Sequence, residues 1–212
     1  GPSAEPGGAN EALGRVIAEA QAALETDATL GASMRTAGNV LLPSVYTLGE
    51  PQGKADSELP PYAAKSSLAE NAGYSIAATH GQQPIAVLGE AAAGIGHLNQ
   101  LRDPVDGVVR SEPLLVNYYG RAVPSMALLT AYTSLNLGMG DVKLRTGEAV
   151  QIGKLQVKTD EAALMLPQFY KAKEGRSAFP VDSFYDVVTG KIPASKYADK
   201  IVIIGATAAG VG

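Results

Sequence analysis

The sequence predicts an α/β fold: a mixed, largely parallel sheet flanked by helices, with at least one β-hairpin. Three observations carry this expectation. Segments with apolar residues at helical spacing alternate along the chain with short apolar runs of strand length. An Asp106-Gly107 turn separates two strand-like segments, as a tight reversal requires. Near the end, Ile201, Val202, Ile203 and Ile204 form a continuous β-branched run of the kind buried in the middle of a parallel sheet.

Taken in order, Gly1-Pro2-Ser3 reads as an expression scar, and residues 4–212 as a single domain truncated at both ends. Residues 9–30 place Leu13, Val16, Ile17, Ala20 and Leu24 on one stripe, with Arg15, Glu19 and Glu25 off it, which predicts an amphipathic helix. A second, short helix over 32–37 should stop at Gly38-Asn39 and pass into a buried strand over 40–43. Residues 48–61, with Gly49, Pro51, Gly53, Pro60 and Pro61 among scattered charges, read as an exposed loop. Residues 62–72 suggest another helix, and 84–92 a short strand or a helix start. The alternation over 94–99 predicts a strand, followed by a reversal through Asp103-Pro104 and Asp106-Gly107 into a second strand from Val108. Gly120-Arg121 marks a further turn, and Ser125 should cap a helix to Asn136 that buries Met126, Leu129, Tyr132 and Leu135. Residues 150–157 read as one strand, with apolar runs at 164–166 and at Phe169-Tyr170. Ser183 should cap a short helix ending at Gly190, and a connector over 192–198 leads to the closing strand 201–204.

Composition narrows the function. Seventeen Lys+Arg against twenty-one Asp+Glu give a formal net charge of −4, with no basic cluster, so neither nucleic acid nor an anionic membrane surface is an expected partner. The absence of cysteine removes thiolate chemistry and Cys-based zinc sites but leaves the compartment open. The longest apolar stretch, 201–212, is too short and glycine-rich for a bilayer, which requires roughly 20 residues.

No catalytic constellation emerges. The glycines at 205, 210 and 212 resemble a dinucleotide-binding turn but lack its G-x-G-x-x-G spacing, and no P-loop Lys-Ser/Thr follows; a plain strand-to-helix turn accounts for them. His80 and His97, seventeen positions apart, lack any metal-ligand pattern; His97 reads as a hydrogen-bonded scaffold residue and His80 as an exposed loop residue. No G-x-S-x-G elbow surrounds any serine. The polar set with the best claim to ligand contact is Asn99, Asp103, Asp106 and Arg110, although Asp103-Pro104 and Asp106-Gly107 also have purely backbone reasons to stand in a turn. No cofactor, metal or catalytic residue is expected.

Three segments together resemble the second class of CHASE domain, the cyclase and histidine-kinase-associated sensory extracellular family. They are residues 37–43; residues 94–99 with Asp103, Asp106-Gly107-Val108-Val109-Arg110, Pro113-Leu114 and 119–128; and Phe179-Pro180-Val181 with 186–193 and 200–210. The resemblance spans roughly residues 30–212 and is thinnest over 49–86. It implies the extracytoplasmic, periplasmic input domain of an inner-membrane receptor, carried by flanking membrane helices and coupled to a cytoplasmic kinase, cyclase or diguanylate-type output. A small-molecule or protein signal, and a homodimer, go with that implication. Two other readings stay open at this point: a nucleotide-using α/β enzyme fragment, and an extracytoplasmic interaction module that does not signal.

Overall fold

The computed structural model describes residues 7–55, 58–69, 75–171 and 177–206, with side chains in the first helix from 13 to 21 and from 25 onward. The chain divides into two compact units, residues 1–166 and 167–212.

The first unit opens with α1 (Gly7–Ala37), one continuous helix of 31 residues where the sequence suggested two. Gly31 does not break it, because glycine there serves close approach: a Cβ at this position would lie 3.1 Å from the Val87 carbonyl oxygen. The stop at Gly38 is as expected, with φ at +69° and its N–H donating to the Met34 carbonyl at 2.9 Å. Next comes β1 (Leu41–Leu48), longer than the expected strand and half-buried at its start rather than buried.

The short helix α2 (Pro61–Ala64) begins where Pro61 fits a first helical turn, but the helix expected over 62–72 goes no further than Ala64, and 70–72 lie outside the described residues. The strand β2 (Ile76–Gln82) was missed in the sequence, since its small and polar Ala77, Ala78, Thr79, His80 and Gly81 carry little apolar signal. His80 is thus exposed on a strand rather than in a loop. The helix α3 (Ala86–Gly89) resolves the ambiguity over 84–92 in favour of helix.

A sheet of five strands forms the centre, in the order β3-β1-β2-β6-β7, where β3 is Gly94–His97, β6 is Leu115–Tyr118 and β7 is Arg121–Pro124. It is mixed, as expected, with its pairings divided evenly: β1–β3 and β2–β6 are parallel, β1–β2 and β6–β7 antiparallel. The β6–β7 hairpin turns through Tyr119 and Gly120, both at positive φ (47° and 87°), the geometry of a two-residue type I′ turn.

The two edges of this sheet meet. His97 on β3 bridges Ser125, just past β7, in parallel sense, and the gap beside the bridge is filled by the chain after α2. There Leu68 exchanges both backbone hydrogen bonds with Ala122, and Ser66 Oγ accepts the Ile95 N–H at 3.1 Å. Arg121 ties this strap down by donating from Nε to Ser67 Oγ and from Nη2 to the Ala64 carbonyl, while Lys65 Nζ donates to the Ala92 carbonyl at 2.7 Å. Close approach explains the glycine in β3, because a Cβ on Gly96 would lie 3.0 Å from Met126 backbone atoms.

The Asp103–Gly107 reversal forms a hairpin, but its partners are β4 (Leu101–Arg102) and β5 (Val109–Pro113); β3 is drawn off to pair with β1. The helix α4 (Met126–Ser134) is capped as expected, Ser125 Oγ accepting the Leu128 N–H at 3.1 Å. Its buried face is Leu128, Leu129 and Tyr132, with Met126 partly buried and Leu135 exposed past the end. A second sheet, β10-β9-β8, packs there: β8 (Val142–Arg145), β9 (Ala149–Ile152) and β10 (Leu155–Lys158) form an antiparallel meander. The single strand expected over 150–157 is therefore a hairpin, reversed at Gly153 with φ +56°. The strand β11 (Leu164–Met165), from the apolar run at 164–166, pairs with β5. The core here comprises Leu115, Leu128, Leu129, Val142, Val150 and Ile152 among others, almost wholly removed from water.

The second unit contains α5 (Phe184–Val188), capped by Ser183 and stopped at Gly190 (φ +74°), as read from the sequence. The closing strand is not borne out: Ile201 to Ile204 form no strand and are exposed, Ile203 at 89%. β-branched composition favours a pleated, half-buried surface but supplies no ladder of its own.

Candidate functional site

The expected contact set separates into two places. Asn99, just past β3, is buried and committed to the fold: its Oδ1 accepts the Tyr46 N–H at 2.9 Å and its Nδ2 donates to the Tyr46 carbonyl, clamping β1 from the side. Asp103, Asp106 and Arg110 come together at the β4–β5 reversal. Asp103 Oδ1 accepts the Val105 N–H at 2.8 Å and Asp106 Oδ1 accepts the Val108 N–H at 3.0 Å, so each carboxylate fixes its own turn. Arg110 closes the set with a two-pronged pairing to Asp106 and a contact of 3.1 Å from Nη1 to Asp103 Oδ2. The guanidinium, then the Val108 N–H, hold the Asp106 carboxyl below the usual range, and Asp106 in turn raises Arg110. All three side chains face solvent, and this bracing carries Val105, 92% exposed, at the tip of the reversal. Chemically the turn is a rigid, weakly anionic knob with an apolar tip, suited to contact and not to bond-making.

A buried polar cluster lies inside the sheet. His97 is 1% exposed, and burial pushes its imidazole down to about 3, so it stays neutral. Nδ1 accepts the Asn99 N–H at 3.3 Å, which places the proton on Nε2, and Nε2 has no partner among the described residues. Ser44, opposite His97 in the β1–β3 register, is also buried. With its proton on Nε2, the imidazole offers that serine no base. Nearby, Gln83 Nε2 donates to the Tyr46 hydroxyl at 2.8 Å.

One feature escaped the sequence reading. Val142, Lys143, Leu144 and Arg145 on β8, together with Leu68, Leu115 and Ala122, line an open cleft of about 420 Å³. Its signal in the sequence is the alternation of Val142-Lys143-Leu144-Arg145 between the turn residues Gly138, Gly140-Asp141 and Thr146-Gly147, a run of only four residues. Among the described residues there is no cluster of metal-ligating side chains, and no helix long and apolar enough to cross a membrane. The glycine-rich turn lies largely outside the described residues, which end at Ala206.

A family model described as CHASE2 domain matches residues 5–212. The chain belongs to the CHASE2 domain family. The match begins well upstream of the segments that carry the resemblance and takes in the whole of α1. CHASE2 domains are sensory extracellular domains of bacterial signalling receptors, not catalytic ones. Neither the curated proteins nor the solved structures gave a significant match.

Proposed function

We propose that this CHASE2 domain is the ligand- or partner-sensing input of a transmembrane receptor whose cytoplasmic output is a kinase, a cyclase or a diguanylate-type enzyme. Membrane helices flanking the domain would carry it on the outer face of the inner membrane. The observation that carries this reading is the family match over residues 5–212. The signal would shift the population between two arrangements of the domain and so move those helices.

The β4–β5 turn is the contact we assign to the signal. Asp103, Asp106 and Arg110 hold it rigid, Val105 is presented to the partner, and Asn99 fixes the base of the loop against β1. A preorganised knob loses little entropy on binding, which favours a protein surface as its counterpart. The apolar face that α1 leaves exposed at Leu13, Val16 and Ile17 supports work as a homodimer. In a full-length receptor with its native output assay, Val105→Asp and Arg110→Ala should blunt the response to the natural signal while leaving expression and basal output unchanged. A full-length gene without hydrophobic spans of ~20 residues on either side of this segment would sink the receptor reading.

A further inference from the structure

We propose that the outer edge of β8 is a docking groove for an extended acidic segment of a partner protein, which joins the β10-β9-β8 sheet as its fourth strand. The proposal goes beyond the sensory reading and rests on it: it gives the domain a second contact, apart from the β4–β5 turn, for a protein strand with carboxylates at alternate positions.

The placement of the cleft is the first observation. Among the described residues β8 pairs with β9 on one side only, and all four of its residues line the cleft in succession. A pocket under one face of a strand meets alternate residues; a cleft that touches every residue in turn runs along the backbone edge. Leu68 and Ala122 form the opposite wall, so an added strand would have apolar surface on both sides of it.

Charge is the second. Val142 and Leu144 turn into the core, while Lys143 and Arg145 stand exposed on the other face, two residues apart. Neither cation has an ion-pair partner among the described residues. Cations on an edge strand repel a second copy of the same edge, which guards against self-association. The same pair attracts a strand with carboxylates at the matching spacing, so the edge discriminates between partners by sign. Main-chain hydrogen bonds would then supply affinity, and the alternating side chains specificity.

The test uses the whole chain, labelled with nitrogen-15, and a capped hexapeptide of alternating Glu and Val. Amide shifts should concentrate at residues 142–145. The affinity should fall at least tenfold in Lys143→Glu/Arg145→Glu, which should in turn prefer a capped hexapeptide of alternating Lys and Val. A Glu/Val peptide N-methylated at alternate positions, unable to complete the ladder, should bind at least tenfold more weakly. Shifts scattered away from β8, equal binding of the N-methylated peptide, or an unchanged preference in the charge-reversed variant would overturn the proposal. The same shifts produced by decanoate would also overturn it, in favour of a small amphipathic anion. Lys143→Ala/Arg145→Ala keeps the test intact if charge reversal disturbs folding, and should likewise lose at least tenfold. Failure here leaves the receptor reading standing, because peptide binding is measured without any output; a receptor whose output ignores every signal fails separately.

Discussion

Residues 94–97 and residues 201–204 read alike as strands, yet the first is fully buried as β3 and the second lies in solvent without a ladder. By composition the order should be reversed: Gly-Ile-Gly-His is a poor strand and Ile-Val-Ile-Ile a good one. What separates them is partnership. β3 has β1 on one side, the strap and Ser125 on the other, and its two glycines let Leu129 and the start of α4 approach within contact distance. A strand is thus stabilised by what accepts it, and propensity decides only between places that already exist.

The largest test of this contrast is truncation on each side of it. Ile95→Ala, at a site 1% exposed, should cost about 3–4 kcal/mol in urea unfolding, through lost transfer energy and a residual cavity. Ile203→Ala should stay within about 0.5 kcal/mol of the parent. Comparable losses at both sites would mean that 201–204 is packed in solution. The clamp at the end of β3 ranks next: Asn99→Ala leaves the buried Tyr46 backbone without its side-chain partners and should cost about 2–3 kcal/mol.

His97 sharpens the contrast through pH. Its folded value of about 3 lies below the ordinary 6.5, so as pH falls through 6.5 the unfolded chain takes up a proton that the native state refuses. Native stability is therefore lost progressively between pH 6.5 and 3, by about 2 kcal/mol at pH 5. His97→Gln should flatten that part of the profile relative to the parent, measured as the difference in unfolding free energy between pH 7.5 and 5. The smallest effect compares two caps. Ser125→Ala should cost about 1 kcal/mol because its helix is buried on one face, and Ser183→Ala, with a cap bond of 3.4 Å on the exposed α5, about half as much.

Local signals survived the passage from sequence to structure best. Gly38, Ser125, Gly120, Ser183 and Gly190 all mark boundaries as read, since each is decided by the conformation of one residue or one hydrogen bond. Pairings were much less legible. Nothing local to Asp106-Gly107 says that the preceding long strand will be drawn to β1, leaving Leu101 and Arg102 to complete the hairpin. The strand β2 was invisible because its residues are small: Gly81 is required by the Tyr46 ring, whose Cε1 would lie 2.6 Å from an added Cβ. The candidate contact residues were found as types in a pattern, and the structure separates Asn99, a buried clamp, from the exposed Asp103, Asp106 and Arg110. Lys143 and Arg145 went unread because an edge is defined by a missing neighbour, which no sequence displays.

The strap that joins β3 to β7 has a kinetic consequence. Leu68 and Ala122 are 54 positions apart, whereas the β6–β7 hairpin closes within two residues. Loop-closure entropy therefore assigns the hairpin an early place in folding and the strap a late one. The strap is held by its two backbone hydrogen bonds at Leu68, by the Ser66 hydroxyl, and by Arg121 and Lys65 beside the His97–Ser125 bridge, and as the last piece placed it should also part first. In native-state hydrogen exchange, the Leu68 and Ala122 amides should open at a lower free energy than those in the middle of β6, making the seam a gate through which the interior of the sheet is reached without unfolding the rest.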